Sequence, residues 1–159
     1  MFPNDKSVVT LPDSNIWTFD AVFREHSKQE EIYNFLAKET IDDVLTGYNG
    51  TIFAYGMTSS GKTYTMYGDL YDEGLQGIIP RASHHFFDHI RKLEDDVEFV
   101  IKCSMLEIYK ETLYDLLNNR AHDLKIKEDP RKGIYVHGLT EIVMNFLKGN
   151  SLLTILECL

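Results

Sequence analysis

Cysteine is scarce, with only Cys103 and Cys158 in 159 residues. Two thiols without metal-ligand spacing make neither a disulfide framework nor a zinc ribbon. Both lie among apolar neighbours, which is the setting of buried free thiols in a reducing compartment. Long apolar runs are missing as well. None approaches the roughly 20 residues of a membrane span, and no charged-then-apolar leader opens the sequence. Basic charge is short: 16 Lys and Arg stand against 25 Asp and Glu, a formal net charge of −9. That balance repels DNA, RNA and anionic membrane surfaces at long range, so neither nucleic acid nor membrane insertion is expected. There is no internal repeat and no low-complexity linker. What remains is a chain 43% apolar and 12% aromatic, enough for one domain with a real core, expected in the cytoplasm.

The stretch Thr51-Ile52-Phe53-Ala54-Tyr55-Gly56-Met57-Thr58-Ser59-Ser60-Gly61-Lys62-Thr63-Tyr64-Thr65-Met66 organises the rest. Its β-branched and aromatic opening predicts a buried strand that breaks into a small-residue loop and then a helix. Gly56 to Thr63 matches G-x-x-x-x-G-K-[ST] without a mismatch, the pattern of a phosphate loop. Gly56 and Gly61 permit backbone turns that a Cβ would penalise. Thr58, Ser59 and Ser60 can then turn successive N–H groups toward one centre, a nest for anions that the following helix start reinforces. Lys62 is the point charge for the β- and γ-phosphates and Thr63 the hydroxyl ligand of Mg²⁺. A chance match in a chain this long arises in about 0.5% of sequences at average composition. The bland alternative is a Gly/Ser surface turn with an incidental lysine.

Around this motif the chain reads as alternating helices and strands. Val8-Val9 and Ile16 to Phe19 suggest short strands at the start, with Asp20 a turn residue. Ser27 to Glu30 fits a capping box opening a helix whose apolar residues include Ile32, Phe35, Leu36, Ile41, Val44 and Leu45, with Gly47 placed to end it. Tyr67 to Gly74 reads as an exposed acidic loop, and a second helix carries Pro80 in its first turn and Phe86, Phe87, Ile90 and Leu93 on its apolar face, through about Leu93. His84, His85 and His89 invite a metal hypothesis, but the first and last are five apart, a spacing that does not share one helical face as i, i+4 would, which favours solvated or core-edge histidines. Val97 to Tyr109 predicts one long strand enclosing Glu107, and Glu111 to Leu117 a short amphipathic helix. Leu124 to Val136 reads as strand, turn and strand, with Arg131 and Lys132 at the tip as either a solvated loop or a partner contact. A further strand is expected from Leu139 to Met144. The apolar tail from Leu152 to Leu159 has no visible cover, so the chain either dimerises through it or continues as a longer domain.

Several segments together resemble a known family. Phe19-Asp20-Ala21-Val22-Phe23, Gly47 to Gly56, Thr58-Ser59-Ser60-Gly61-Lys62-Thr63, Gly77-Ile78-Ile79-Pro80-Arg81, Glu107-Ile108-Tyr109 and Asp115-Leu116-Leu117 look like the kinesin motor domain, most of all that of conventional kinesin heavy chains. The likeness runs from 19 to 141, and 142–159 reads as a divergent tail, so the expected domain is one partial motor over 1–159. The resemblance implies an α/β three-layer sandwich with a mixed central sheet, a P-loop NTPase of kinesin type, here incomplete. It implies a microtubule-dependent ATPase that uses ATP and Mg²⁺, partners tubulin and works on the cytoskeleton. Gly56, Thr58, Ser59, Ser60, Gly61, Lys62 and Thr63 match the family's phosphate loop, and Tyr64 stands where the family packs an aromatic ring on adenine. Arg131 and Lys132 fall in a hairpin that resembles a tubulin-contacting loop.

The departures carry equal weight. The family's Arg-x-Arg-Pro element has no counterpart here, nor do its Asn-x-x-Ser-Ser-Arg-Ser-His and Asp-Leu-Ala-Gly-x-Glu segments, and Met57 replaces a common glutamine. The last two segments sense the γ-phosphate and hold water and Mg²⁺ in the family. Phosphoryl transfer depends on such positioned charge, so the 159 residues by themselves are expected to bind ATP with weak or no turnover. Two other classes remain: a non-catalytic truncated motor acting as a binding module, or another P-loop nucleotide-hydrolysing enzyme. The latter would need a downstream acidic Mg²⁺ partner or an Asn-Lys-x-Asp base reader, and no convincing example of either occurs.

Overall fold

The computed structural model describes residues 7–10, 15–93, 100–119, 124–131 and 133–144. It divides into two compact units, Met1–His89 and Ile90–Leu159. The Val97–Phe99 part of the predicted long strand, Lys132, Cys158 and the tail lie outside the described residues.

In the first unit β1 (Ser7–Thr10) pairs antiparallel with β2 (Asn15–Thr18), Val8 opposite Trp17. The first helical segment is α1 (Gln29–Ile32), which runs through a π-helical turn at Tyr33–Ala37 into α2 (Lys38–Leu45). Lys28, not Ser27, is the N-cap residue, and the Glu31 carboxylate accepts the Lys28 N–H at 3.3 Å. The Ser27 hydroxyl oxygen instead accepts from Arg24 N–H at 3.0 Å in the turn before the helix. Two backbone bonds close the far end, Gly47 N–H to Val44 O at 3.0 Å and Tyr48 N–H to Asp43 O at 3.1 Å. Gly47 has φ +105°, so the helix ends in a Schellman motif at the glycine the sequence marks.

The buried stripe of this helix differs from the expected one. Gln29, Tyr33, Ala37 and Ile41 are buried, whereas Phe35 and Leu36 are 39% and 48% exposed. A strict four-residue spacing over twelve residues drifts by about 120° around an ideal helix of 3.6 residues per turn. The wider π turn takes up that drift and keeps the four side chains aligned. Tyr33 and Ala37 form the core with Ile78, and Ile52, Met66 and Ala82 pack against it.

Next come α3 (Lys62–Met66) and α4 (Ile78–Ile90), the latter with Pro80 buried in its first turn. The loop between them folds back through a Gly68–Gln76 bridge and a Gly77 N–H to Tyr67 O bond of 2.8 Å. A Cβ on Gly77 would lie 2.6 Å from Thr65 O and 2.7 Å from Met66 O. Only glycine lets this backbone rest directly on the end of α3.

The second unit contains β3 (Ile101–Cys103), β4 (Leu106–Tyr109), β5 (Thr112–Asp115), β6 (Lys125–Asp129), β7 (Gly133–His137) and β8 (Ile142–Met144). They form three antiparallel pairs, β3 with β8, β4 with β5, and β6 with β7. The expected helix at Glu111–Leu117 is therefore a strand. Lys110 and Glu111 both take positive φ, +47° and +61°, the two-residue hairpin turn whose twist suits paired strands. Leucines at 113, 116 and 117 mimic helical spacing, and neither turn residue is the glycine or asparagine that signals such a turn.

The long strand breaks after Cys103, and Glu107 is exposed opposite Tyr114 rather than enclosed. Asp115, 4% exposed, ties β5 to the segment before β8. Its two oxygens accept Leu117 N–H at 2.9 Å and Thr140 N–H at 2.8 Å. Burial by itself would push this carboxyl up. Hydrogen bonds from the Thr140 hydroxyl and from the N–H groups of Thr140, Leu117 and Asn118 outweigh that and hold it below the ordinary aspartate value. Cys103 is half-buried, and burial raises its thiol, as expected of an inert interior cysteine. Among the described residues no helix is long and apolar enough to cross a membrane.

Candidate functional site

Residues 51–56 run without helix or ladder among the described residues. The expected buried strand does not form among the described residues, and of Thr51 to Tyr55 only Ile52 is partly buried. Ile52 packs on the core, whereas Phe53 and Tyr55 are 78% and 83% exposed. Beside this segment lies a cavity of about 310 Å³ lined by Ile52, Tyr55, Gly61, Lys62, Met66 and Ile78, among others.

The loop that follows has the backbone its glycines foretell. Gly56 and Gly61 take φ +152° and +93°, and Ser59 takes +65° between them. At φ +152° Gly56 holds a backbone conformation that a residue with a Cβ rarely adopts, and a Cβ there would also press the Ser60 hydroxyl oxygen at 2.5 Å. Ser60 N–H bonds Met57 O at 3.2 Å, and Thr65 N–H bonds Gly61 O at 2.9 Å as the first helical bond of α3. Among the described residues the N–H groups of Thr58, Ser59, Gly61, Lys62 and Thr63 have no backbone or side-chain acceptor. Five unused donors in six residues, all but half-buried Lys62 in exposed positions, are what an anion-binding loop requires.

Lys62 folds back over this loop. Its Nζ donates to Gly56 O and Met57 O, each at 2.8 Å. An ammonium has three N–H donors, so one remains for an incoming oxygen. The Thr63 hydroxyl is exposed and has no hydrogen-bond partner among the described residues. Tyr64 is 52% exposed, which leaves a ring face available. The structure thus brings Gly56, Thr58, Ser59, Ser60, Gly61, Lys62, Thr63 and Tyr64 into one continuous loop and helix start. These residues fit a polyphosphate with a divalent cation: unused amides and an ammonium for the anion, a free hydroxyl for the metal.

Other candidates lie elsewhere. Arg131 is exposed in the β6–β7 turn, its backbone N–H on the Asp129 carboxylate at 2.8 Å. Lys132 lies outside the described residues. The three histidines do not converge, and no metal-binding group of His, Cys, Asp or Glu occurs among the described residues. His85 serves the interior instead, with Nδ1 2.8 Å from the Tyr33 hydroxyl and Nε2 3.0 Å from the Asp42 carboxylate. A residue that the apolar spacing in the sequence does not reveal is Gln29, whose Nε2 donates to Tyr64 O at 2.6 Å. The four-residue spacing of Gln29, Tyr33, Ala37 and Ile41 was the available signal, hidden by the stronger Ile, Leu and Phe pattern beside it.

Comparison with known proteins agrees with this geometry. The family model for the kinesin motor domain matches residues 4–157. Human kinesin heavy chain isoform 5C is 48% identical over 140 residues, 88% of this chain and 14% of that protein. The Drosophila melanogaster kinesin heavy chain is 46% identical over 142 residues, again 88% of this chain and 14% of the relative. A solved fast kinesin, described for its ATPase mechanism and interactions with microtubules, superposes with a TM-score of 0.82 at 38% identity. It covers 89% of this chain and 41% of its own. The chain therefore spans about one-seventh of the length of these curated relatives.

Proposed function

The chain belongs to the kinesin motor domain family and has its P-loop nucleotide-hydrolase fold, and from that premise we propose that it is the ATP-binding portion of a microtubule motor. The single observation that carries the reading is the loop at 56–63, with its glycine backbone, unused amides and overhanging ammonium. In this reading the N–H groups of Thr58, Ser59, Gly61, Lys62 and Thr63 hold the β-phosphate oxygens, with the Ser60 hydroxyl beside them. Lys62, already pinned by two carbonyls, turns its remaining N–H toward the β- and γ-oxygens at little ordering cost. The Thr63 hydroxyl holds Mg²⁺, which when bound neutralises charge on the β- and γ-phosphates. Tyr64 offers its exposed ring to the adenine. Arg131 and Lys132 are assigned to tubulin, and the domain to a partial motor over 1–159.

Binding is the part of the cycle these residues supply. The 159 residues contain neither the Asn-x-x-Ser-Ser-Arg-Ser-His nor the Asp-Leu-Ala-Gly-x-Glu pattern, so their own turnover is proposed to be weak or absent. Calorimetric titration of the purified chain with Mg-ATP is expected to show saturable one-site binding. Lys62→Ala should weaken it at least about tenfold, since a charge-assisted hydrogen bond is worth ~1.5–3 kcal/mol. No binding by the wild-type chain, or equal binding by the variant, overturns the assignment.

A further inference from the structure

Helix α3 carries Lys62 and Thr63, yet it has five residues, far fewer than a helix needs to persist unaided in water. Its position must come from outside itself. On one side the Gly77 backbone rests against Thr65 and Met66, with the Gly77 N–H on Tyr67 O at 2.8 Å. On the other, the carbonyl of Tyr64 belongs to the middle residue of the helix. Gly68 N–H and Tyr67 N–H both go to Thr63 O, so Tyr64 O receives neither of these backbone donors. Gln29 Nε2 fills that vacancy at 2.6 Å, reaching across from the first residue of α1.

The cost of this arrangement is visible. Gln29 is 3% exposed, and its Oε1 is buried with no partner among the described residues. A buried acceptor without a donor is destabilising, and an apolar side chain of similar volume would avoid the penalty. Stability alone therefore gives no reason for an amide here, whereas orientation does. Gln29 also heads the buried stripe that continues through Tyr33, Ala37 and Ile41, so the tether joins α3 to the buried side of the α1–α2 helix.

We infer that Gln29 is a positioning residue for the 56–63 loop: its amide donates to the Tyr64 carbonyl in the middle of α3 and so fixes where Lys62 and Thr63 stand. This rests on the reading of 56–63 as an ATP site. The test is Gln29→Met in the full 159-residue chain, which keeps volume and removes the donor. Three quantities are measured: the thermal midpoint, amide hydrogen exchange of 62–68 against 33–41, and affinity for Mg-ATP. Gln29→Met is expected to leave the midpoint within about 3 °C of wild type or raise it. Exchange should quicken in 62–68 and not in 33–41. Mg-ATP affinity should fall about three- to tenfold, the size of one hydrogen bond. Unchanged exchange in 62–68, or unchanged affinity, overturns the positioning role. So does a uniform rise in exchange with a lower midpoint, the signature of a merely structural residue. Failure of the wild-type chain to bind Mg-ATP sinks the ATP reading instead, and is seen without any variant.

Discussion

Tyr33 shows how one side chain can link stability to pH. It is 7% exposed, and its hydroxyl meets His85 Nδ1, whose Nε2 meets Asp42. Burial, reinforced by the Asp42 charge and partly offset by Arg81, pushes the phenol up to about 12 from the ordinary 10.0. The folded state thus holds the proton more tightly than the unfolded chain. Stability from this group is complete below the unfolded value near 10 and is lost as pH rises toward 12. Two units correspond to about 2–3 kcal/mol, a large share of the margin of a small domain. Tyr33→Phe should cost about 1 kcal/mol at neutral pH through the lost hydrogen bond. It should also flatten the fall in denaturant midpoint between pH 10 and 12. An equally steep fall in the variant would assign the alkaline transition to another group. The backbone of the 56–63 loop, by contrast, was legible from its letters, because glycines at 56 and 61 mark the positive φ values found there. Gln29 and Tyr33 were not, because a buried amide or phenol is set by what lies opposite it, which one-dimensional spacing does not contain.

At the scale of the element, legibility followed the strength of the local signal. Gly47 ends α2 as a C-terminal glycine should, and the β6–β7 pair was readable from strand residues flanking Asp129, Pro130 and Gly133. The β4–β5 hairpin was not, since its turn is made by Lys110 and Glu111 with φ +47° and +61°. Residues with a Cβ enter that region at a cost of roughly 1–2 kcal/mol each. Strand pairing from Leu106 opposite Asp115 to Tyr109 opposite Thr112 holds them there. Relieving the conflict should stabilise the second unit. The double substitution Lys110→Asn with Glu111→Gly supplies the residues this turn prefers. It is expected to raise urea stability by about 1 kcal/mol, less than the full strain because glycine also loosens the unfolded chain. A lower midpoint would mean that the native side chains make contacts worth more than the strain they cause. The π turn at Tyr33–Ala37 belongs to the same lesson. Helical periodicity foretold the helix, but the shift of its buried stripe depends on what α2 packs against.

For the whole molecule the deciding quantities are charge and the inventory of catalytic parts. In the proposed reading the cradle at 56–63 offers amides and one ammonium to a polyphosphate, in the ground state as well as in the transition state. Interactions equal in both states lower the concentration of ATP needed without accelerating its cleavage. Acceleration needs an oriented nucleophile and charge placed where it develops, and losing one such group typically costs about a hundredfold or more. Neither the Asn-x-x-Ser-Ser-Arg-Ser-His nor the Asp-Leu-Ala-Gly-x-Glu pattern that would supply them occurs in the 159 residues. The formal charge of −9 adds a second barrier in the proposed reading, because an acidic chain is repelled by an acidic partner such as tubulin. The purified chain should therefore bind ATP but turn it over at about 0.1 s⁻¹ or slower, against ~10 s⁻¹ for a median enzyme. Saturating microtubules should leave that rate unchanged within about twofold. A coupled-enzyme assay with and without polymerised tubulin decides the matter. Stimulation of tenfold or more would show that residues 1–159 already contain the groups that orient water and answer the filament, and the division between binding and turnover drawn above would fall.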